Sequence, residues 1–274
     1  MEAAADEVEA TGAGDILLRH PVPSALAGLV ARITGYRETS RRPIRMTETA
    51  SLVVPIIIGF GEPFEIAIGR APSRDDRYGS FTAGLTGTPV HIRSGGAAHC
   101  LQIDLTPLGA CRFFGRPMHE LANRMVRLDE LGDPTVTALR ERLGAERSWR
   151  RRFALAEAAI TPRLLGTKGA SGAVAWAYGR IVASGGAVRI ATLADRVGWS
   201  RKHLAARFHA EVGAAPKLVA RIARFDQARA MASAGAGDGW ADIAAACGFS
   251  DQAHLVREFV ALGGATPGSW RGAG

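Results

Sequence analysis

The chain is poor in cysteine and in long apolar runs. Cys100, Cys111 and Cys247 are scattered through 274 residues, so their number and spacing exclude a disulfide framework and a CxxC metal pair. No apolar run approaches the roughly 20 residues that cross a bilayer, and residues 1–14 lack the basic-then-apolar pattern of a signal peptide. We therefore predict a protein without a membrane span in the reducing cytoplasm.

The sequence also lacks the motifs of common catalytic sites. It contains no Gly-rich phosphate loop, no GxSxG motif and no triad spacing. A cupin metal site needs histidines one residue apart on a strand. Here His91 and His99 are eight residues apart, and His119-Glu120 lacks the spacing of a zinc protease helix. We predict no catalytic residue, no metal and no cofactor, and hence a protein that is not an enzyme.

Positive charge is in excess and is unevenly distributed. The net charge is +8 with a pI near 10.2. Residues 172–274 hold 12 of the 34 basic and 7 of the 26 acidic side chains, and therefore +5 of the total. A basic C-terminal region indicates a polyanionic partner, which basicity alone does not distinguish among DNA, RNA and an anionic membrane.

One short pattern occurs twice between Ile190 and Arg271. The copies lie 50 residues apart up to a serine and 51 beyond it. An internal duplication of this kind indicates a repeated structural unit. The paired landmarks are Leu193/Ile243, Ala194/Ala244, Gly198/Gly248, Trp199/Phe249, Ser200/Ser250, Leu204/Leu255, Phe208/Phe259, Gly213/Gly264 and Pro216/Pro267.

Each copy has the residue order of a helix-turn-helix. Gly198 and Gly248 can end a first helix in a left-handed conformation. Ser200 in one copy, and Ser250 or Asp251 in the other, can cap a second helix. The apolar residues that follow are four apart, so they share one buried face. The second helix of such a unit is the one that enters a DNA major groove.

If the apolar pairs face inward, helical geometry turns a second set of residues outward. In the first copy that set is basic with small residues: Arg201, Lys202, Ala205, Ala206 and His209. In the second it is Gln252, Ala253, Val256 and Arg257. Gln reads adenine and Arg reads guanine by bidentate hydrogen bonds, so both chemistries of base recognition are present. An ordinary solvated face is the alternative, which the duplication disfavours.

Residues Val174 to Arg271 resemble the DNA-binding domain of AraC/XylS-type transcription regulators. Ile243-Ala244, Gly248-Phe249-Ser250, Leu255, Arg257, Phe259, Gly264, Pro267 and Arg271 fit the family signature in order, although Trp270 stands where the family more often has Tyr. The resemblance implies two helix-turn-helix units joined by a long helix, here 217–233. It also implies base contacts by Arg201, Lys202, Ala205, Ala206, Gln252, Ala253, His254 and Arg257, and phosphate contacts by Ser200, Arg207, Lys217 and Arg271.

The N-terminal half reads mainly as strands. β-branched or alternating segments at 52–58, 64–68, 81–85, 90–93 and 97–105 are separated by Gly and Pro, which is typical of a small barrel or sandwich. Residues 1–14 are predicted to be a disordered tail, and the spacing of Leu26, Leu29, Val30 and Ile33 predicts a short helix over 24–33.

After Pro107 the pattern turns helical, with helices predicted at 108–114, 118–125, 134–143 and 149–165. The basic run 147–152 at the start of the last of these is interpreted as a solvated face or one that meets an acidic partner, rather than a nucleic-acid contact. Residues 166–172 are predicted to be a flexible linker. The sequence thus divides into a domain at 15–165, with cupin-like strands at 47–105, and a DNA-binding domain at 173–274, with helix-turn-helix units at 190–213 and 240–264.

The sequence therefore predicts an α+β protein, with a strand-rich, cupin-like small barrel and following helices, then an all-α double helix-turn-helix domain. We predict a sequence-specific transcription regulator of double-stranded DNA. The resemblance adds a homodimer, an N-terminal domain for dimerisation or for a small-molecule effector, and RNA polymerase as a candidate partner. No effector-binding residue is recognisable. A non-specific architectural DNA-binding protein and a cupin-type metalloenzyme with an appended DNA-binding domain remain the alternatives.

Overall fold

The computed structural model describes residues 7–11, 15–235 and 239–271. In these residues two β-sheets and three helices form the N-terminal part, and the C-terminal part is entirely helical. The predicted fold class is confirmed by this order. No helix in the described ranges is long and apolar enough to cross a membrane.

The strands form two antiparallel sheets that face each other. Their bounds are β1 (Glu7–Thr11), β2 (Asp15–His20), β3 (Val30–Arg37), β4 (Ile44–Glu48), β5 (Val54–Gly59), β6 (Phe64–Ile68), β7 (Arg77–Tyr78), β8 (Phe81–Ala83), β9 (Val90–Ser94), β10 (His99–Leu105) and β11 (Met125–Arg127). The larger sheet has the order β1-β2-β3-β10-β5-β8-β11 and the smaller one β4-β9-β6-β7.

The alternation of side chains explains why these segments are strands. Val54, Ile56 and Ile58 of β5 are buried while the residues between them are half-buried, as expected when one face packs on a core. Strand β10 lies between β3 and β5, and its Leu101 and Ile103 are fully buried. The predicted apolar runs thus became the centre of the larger sheet.

Two helices predicted from apolar spacing are absent. Residues 24–33 form a 3₁₀ turn at Ser24–Leu26, and β3 begins at Val30 because Gly28 has a φ of 77° and β10 offers a strand to pair with. Residues 118–125 form a second 3₁₀ turn, Met118–Glu120, and then enter β11, since Asn123 is left-handed and β8 accepts the pairing. In both segments the long-range pairing outweighs the local spacing.

The predicted N-terminal tail also differs from the structure. Residues Glu7–Thr11 form β1, which pairs with β2 from Glu7 opposite Arg19 to Thr11 opposite Asp15. The edge of β2 supplies hydrogen-bonding partners that the tail sequence alone does not reveal. Residues 1–6 and 12–14 of the predicted tail lie outside the described residues.

Ten α-helices occur in the described residues, numbered here in chain order. They are α1 (Pro107–Phe114), α2 (Pro134–Ala145), α3 (Trp149–Gly166), α4 (Gly172–Ala183), α5 (Ile190–Arg196), α6 (Arg201–Val212), α7 (Pro216–Ser233), α8 (Trp240–Ala246), α9 (Gln252–Gly263) and α10 (Pro267–Arg271). Short helix–helix connections are typical of neighbouring packed helices.

One apolar core runs through the predicted domain boundary. It begins at Leu18, includes the buried faces of α1 to α6, and ends at Ala220 in α7. The segment between α3 and α4, predicted to be flexible, is held at both ends: Arg112 Nη1 donates to Thr167 O (3.2 Å), and Ser171 N donates to Glu211 Oε2 (2.6 Å). The first helix-turn-helix unit is therefore packed onto the N-terminal part.

A second core lies under the last helices. It contains Ile222, Phe225 and Ala228 of α7 together with the apolar faces of α8 and α9. Ala50, from the β4–β5 loop of the N-terminal part, is buried in it. Helix α7 therefore belongs to the first core at its start and to the second core over the rest of its length.

The basic run 147–152 is not wholly solvated, because Arg152 is buried. Its Nη1 donates to His99 Nε2 at 2.8 Å, and its guanidinium stacks over Phe60 and Trp149 at 4.5 and 4.9 Å from the ring centroids. Burial first, then the positive charges of Arg152 and Arg37, lower the pKa of His99 to about 4.

This depressed pKa predicts acid sensitivity. In the unfolded chain His99 takes up a proton near its ordinary pKa of 6.5, whereas the folded protein resists protonation until about pH 4. Stability attributable to His99 is thus present above pH 6.5 and is lost as the pH falls from 6.5 towards 4. His99→Gln, whose amide oxygen can accept from Arg152, should flatten the loss of unfolding free energy measured by urea denaturation across this range.

The control is His91→Gln, which removes a histidine bonded to Thr47 in the same half of the protein. Parallel pH profiles for wild type and His99→Gln would contradict the assignment.

Candidate nucleic-acid interface

The two C-terminal units have the same turn geometry. Gly198 between α5 and α6 has a φ of 70°, and Gly248 between α8 and α9 has a φ of 72°, a conformation that side chains with a Cβ rarely adopt. The aromatic that follows each glycine donates its backbone N–H to an alanine carbonyl: Trp199 to Ala194 and Phe249 to Ala244, both at 2.9 Å. The duplicated pattern thus corresponds to a duplicated helix-turn-helix geometry.

The second helix of each unit is capped at its N-terminus. Ser200 Oγ accepts from His203 N at 3.1 Å, and Asp251 Oδ1 accepts from His254 N at 2.6 Å. Asp251, rather than Ser250, is therefore the cap of α9, which accounts for the one extra residue in the second copy. The backbone hydrogen bond from His254 is the main cause that lowers the pKa of Asp251.

The buried faces follow the predicted four-residue spacing. Leu204 and Phe208 of α6 are fully buried, as are Leu255 and Phe259 of α9. Each helix therefore presents its opposite face away from its own core. Those opposite faces are the surfaces available to a duplex.

Helix α6 presents the predicted basic face. Arg201, Lys202 and Ala206 are exposed, and Ala205 is half-exposed. His209, also on this side, stacks on His119 of the N-terminal part with ring centroids 5.2 Å apart. Because His209 lies in the last turn, this contact covers the C-terminal end of α6 and leaves its first two turns open.

Helix α9 presents a face of different chemistry. Gln252, Ala253 and Arg257 are exposed. His254 is half-buried and turns back to its own cap: Ser250 N and Oγ lie 3.3 and 3.2 Å from its Nδ1. That arrangement leaves Nε2 as the ring nitrogen that can face DNA.

The predicted phosphate contacts have unequal surroundings. Lys217 is exposed at the start of α7. Arg207 is paired with Glu211 one turn later at 2.5 Å, so a phosphate would compete with that carboxylate. Ser200 is exposed while its Oγ serves as the α6 cap. The side chain of Arg271 lies outside the described residues.

Sequence reasoning missed three arginines of α7 that contact other elements. Arg221 forms a two-point ion pair with Glu258 of α9, Arg224 Nη2 donates to Gly186 O, and Arg229 Nη1 donates to Thr49 Oγ1. Their partners are 37 to 180 residues away in the chain, so the sequence alone does not reveal these contacts.

Sequence reasoning also missed a cavity in the N-terminal part. It has a volume of about 400 Å³ and lies between the two sheets. Ile57, Phe81 and Ile92 contribute apolar wall, whereas Asp104, paired with Arg32 at 2.6 Å, contributes charge. Arg229 of α7 also lines it. Among the described residues, no group of three or more His, Cys, Asp or Glu side chains could hold a metal ion.

The geometry of the C-terminal part is that of a helix-turn-helix DNA-binding protein. Residues 193–273 match the family model described as a helix-turn-helix domain. This part of the chain is therefore an AraC-type helix-turn-helix domain. The resemblance inferred from the sequence is confirmed.

Among solved structures, two are similar to this chain over different lengths. The C-terminal domain of AraT, a response regulator from Geobacillus stearothermophilus, is 19% identical over 38% of this chain and 88% of its own, with a TM-score of 0.35. ToxT from Vibrio cholerae is 8% identical over 87% of this chain and 97% of its own, with a TM-score of 0.47. No curated protein sequence matches the chain.

Two substitutions at Ser200 separate its capping role from its predicted phosphate contact. Ser200→Ala removes the acceptor for His203 N and should lower the free energy of unfolding by about 1 kcal/mol. Ser200→Asp keeps an acceptor, which suits a helix N-terminus, and should preserve stability. If a phosphate lies beside this position, Ser200→Asp should nevertheless weaken DNA binding, measured by fluorescence anisotropy. Wild-type affinity in Ser200→Asp would contradict the phosphate contact.

Proposed function

We propose that this protein is a sequence-specific transcription regulator that inserts α6 and α9 into successive major grooves of one duplex. The observation that carries the proposal is the pairing of two equivalent turns with two exposed, chemically different helix faces. Major-groove faces recur about every 34 Å along one side of DNA. A protein with two such units on one connecting helix is suited to read two elements on that side, with DNA bending where the distance requires it.

The two faces imply different readout. Arg201 and Lys202 on α6 offer donors to guanine or to phosphate, and Ala205 and Ala206 permit close approach and contact with thymine methyl groups. On α9, Gln252 suits adenine and Arg257 suits guanine. Neither Gln252 nor Arg257 has a hydrogen bond or ion pair among the described contacts, so both polar groups are available to bases.

Selection of bound sequences from a random duplex pool tests this function. The full chain at fixed salt should enrich a motif of two different half-elements about one DNA turn apart. Salt-sensitive binding without enrichment would instead indicate the alternative of a non-specific architectural protein, because phosphate contacts alone carry no sequence information.

Two alanine substitutions on α9 test the assignment of base contacts. Gln252→Ala and Arg257→Ala should each cost about 1 to 3 kcal/mol of binding free energy and relax preference at one base. Both losses should map to the same half-element. Unchanged preference in both variants, measured against the selected motif and its single-base variants, would contradict this reading of α9.

Lys217→Ala is the matched control. A phosphate contact should weaken binding to every sequence alike and reduce the slope of log affinity against log salt by about 1. The ranking of sequences should not change.

We further propose that the cavity between the sheets accepts a small-molecule effector with an apolar body and a polar end. The apolar wall suits the body, and the ion pair of Arg32 with Asp104 suits the polar end. The cavity wall also includes Thr49 and Arg229, and Arg229 Nη1 donates a hydrogen bond to Thr49 Oγ1 at 3.0 Å. The next residue, Ala50, donates its N–H to Leu262 O of α9 at 2.8 Å. An occupant would therefore adjoin residues that contact the second reading unit.

A cavity-filling variant tests this role. Ala83, a buried wall residue, changed to Phe should fill part of the space, while Ala138→Phe adds the same ring on the exposed side of α2. In a thermal-shift screen of metabolites, a true occupant should stabilise wild type and Ala138→Phe but not Ala83→Phe. A ligand at 100 times its Kd adds about 2.7 kcal/mol. If no metabolite in the screen stabilises Ala138→Phe more than Ala83→Phe, the proposal is contradicted.

Homodimerisation and contact with RNA polymerase stay predictions of the family resemblance. The absence of enzymatic activity, predicted from the missing motifs, and the cytoplasmic location, predicted from the cysteines, stay predictions as well. The metalloenzyme alternative finds no candidate metal cluster among the residues that the structure describes.

A further inference from the structure

One face of α7 carries three basic residues at helical spacing, and two of them contact the second unit. Lys217, Arg221 and Arg224 are four and three residues apart, so they share that face. Together with Phe249, His254 and Glu258 of the second unit, they line a cleft of about 620 Å³. This basic face of α7 therefore lies opposite the second unit, across the cleft.

Arg224 contacts the turn that leads into the first unit and, at the same time, the second unit. Its Nη2 donates to the carbonyl of Gly186 at 3.0 Å, in the turn between α4 and α5, just before the first unit begins. Its guanidinium carbon lies 5.7 Å from the ring centroid of Phe249, the corner aromatic of the second unit. A planar guanidinium can donate in its plane and stack by its face at the same time.

The surroundings hold Arg224 in this position. The turn at Gly186 lies so close to α7 that a Cβ added at Gly186 would stand 2.0 Å from Ala220 O. The Nε of Arg224 is buried without a hydrogen-bond partner in the described residues. A buried donor without a partner costs free energy. The contacts of Nη2 with Gly186 and of the guanidinium face with Phe249 therefore outweigh the missing hydrogen bond of Nε.

Arg221, one turn earlier, fixes α7 against α9. Its Nε donates to Glu258 Oε2 at 2.9 Å and its Nη2 to Glu258 Oε1 at 3.1 Å, and Glu258 is mostly buried. Two parallel hydrogen bonds specify orientation as well as distance. The second unit is thus held on α7 at one point by Arg221 and at a second by Arg224.

We propose that Arg224 is the positioning residue that sets the separation of the two reading helices, and thereby the spacing between DNA half-elements that the protein accepts. This inference rests on the proposed two-groove reading. It assigns spacing specificity to a residue that need not touch DNA, whereas base specificity belongs to the exposed faces of α6 and α9.

Binding to a spacing series tests the proposal. Fluorescence anisotropy would be measured for the full chain on duplexes in which the two selected half-elements are moved apart or together one base pair at a time. Wild type should show a sharp optimum. Arg224→Met, which keeps a long apolar side chain, should keep the same base preferences within each half-element but lose roughly 3- to 10-fold affinity at the optimum and less at neighbouring spacings.

Arg224→Lys and Arg180→Ala complete the experiment. Lysine can reach the Gly186 carbonyl but cannot also stack a planar group on Phe249, so its spacing profile should be intermediate. Arg180 is exposed on α4, and Arg180→Ala removes one positive charge from the same region and should leave the profile sharp. Circular dichroism would establish that each variant is folded. If Arg224→Met does not fold, Arg224→Lys carries the comparison.

The outcomes separate the inference from the function on which it rests. A spacing profile in folded Arg224→Met that superimposes on wild type would overturn the role of Arg224. A uniform loss at all spacings would do the same, because it indicates only a lost charge. Failure of the wild-type protein to select any two-part element would overturn the proposed function itself.

Discussion

The burial of helix α7 in two different cores is the constraint on which the C-terminal architecture depends. Val219 and Ala220 belong to the core that continues into the N-terminal part, whereas Ile222 and Phe225 belong to the core of the second unit. Full burial of a side chain the size of Val219, Ile222 or Phe225 contributes about 1.5 to 3 kcal/mol by leaving water. Rotation of either unit about α7 would expose one of these sets, so burial restricts how far either unit can turn about the connector.

The shared core also crosses the boundary predicted between the two domains. Val174, Ala177 and Ile181 of α4 are fully buried in the same cluster as Phe153 and Leu164 of α3. Cutting the chain between α3 and α4 would expose apolar surface on both sides. The composition of 166–172 predicts a linker, but the burial of the helices that flank it ties the first reading unit to the N-terminal part.

The parts of the fold that could be predicted from sequence are those whose determinants are local. Gly198 and Gly248 mark turns because few other residues adopt their φ, and the four-residue spacing of Leu204 and Phe208 defines a buried face on any helix. The prediction of a helix over 24–33 is wrong because Leu26, Leu29 and Val30 satisfy helical spacing as well as a turn followed by a strand. Only the pairing of β3 with β10 decides between them, and a single sequence does not contain that information.

The same distinction applies to the candidate interface. Exposure of Arg201, Gln252 and Arg257 follows from helical periodicity and could be predicted, whereas the partners of Arg224 and Arg229 could not, because Gly186 and Thr49 are distant in sequence. These two arginines are five residues apart in α7 and extend towards different neighbours. Arg224 joins the turn before the first unit to Phe249 of the second, and Arg229 joins α7 to the wall of the cavity. The first unit is attached to the N-terminal part by a continuous core. Among the described residues, the second unit meets it at the β4–β5 loop and at Gly264, which lies close to Pro89 and Thr47. In the proposed function, a cavity occupant adjoins Thr49 and Arg229 beside these contacts, and is therefore placed to act on the second unit.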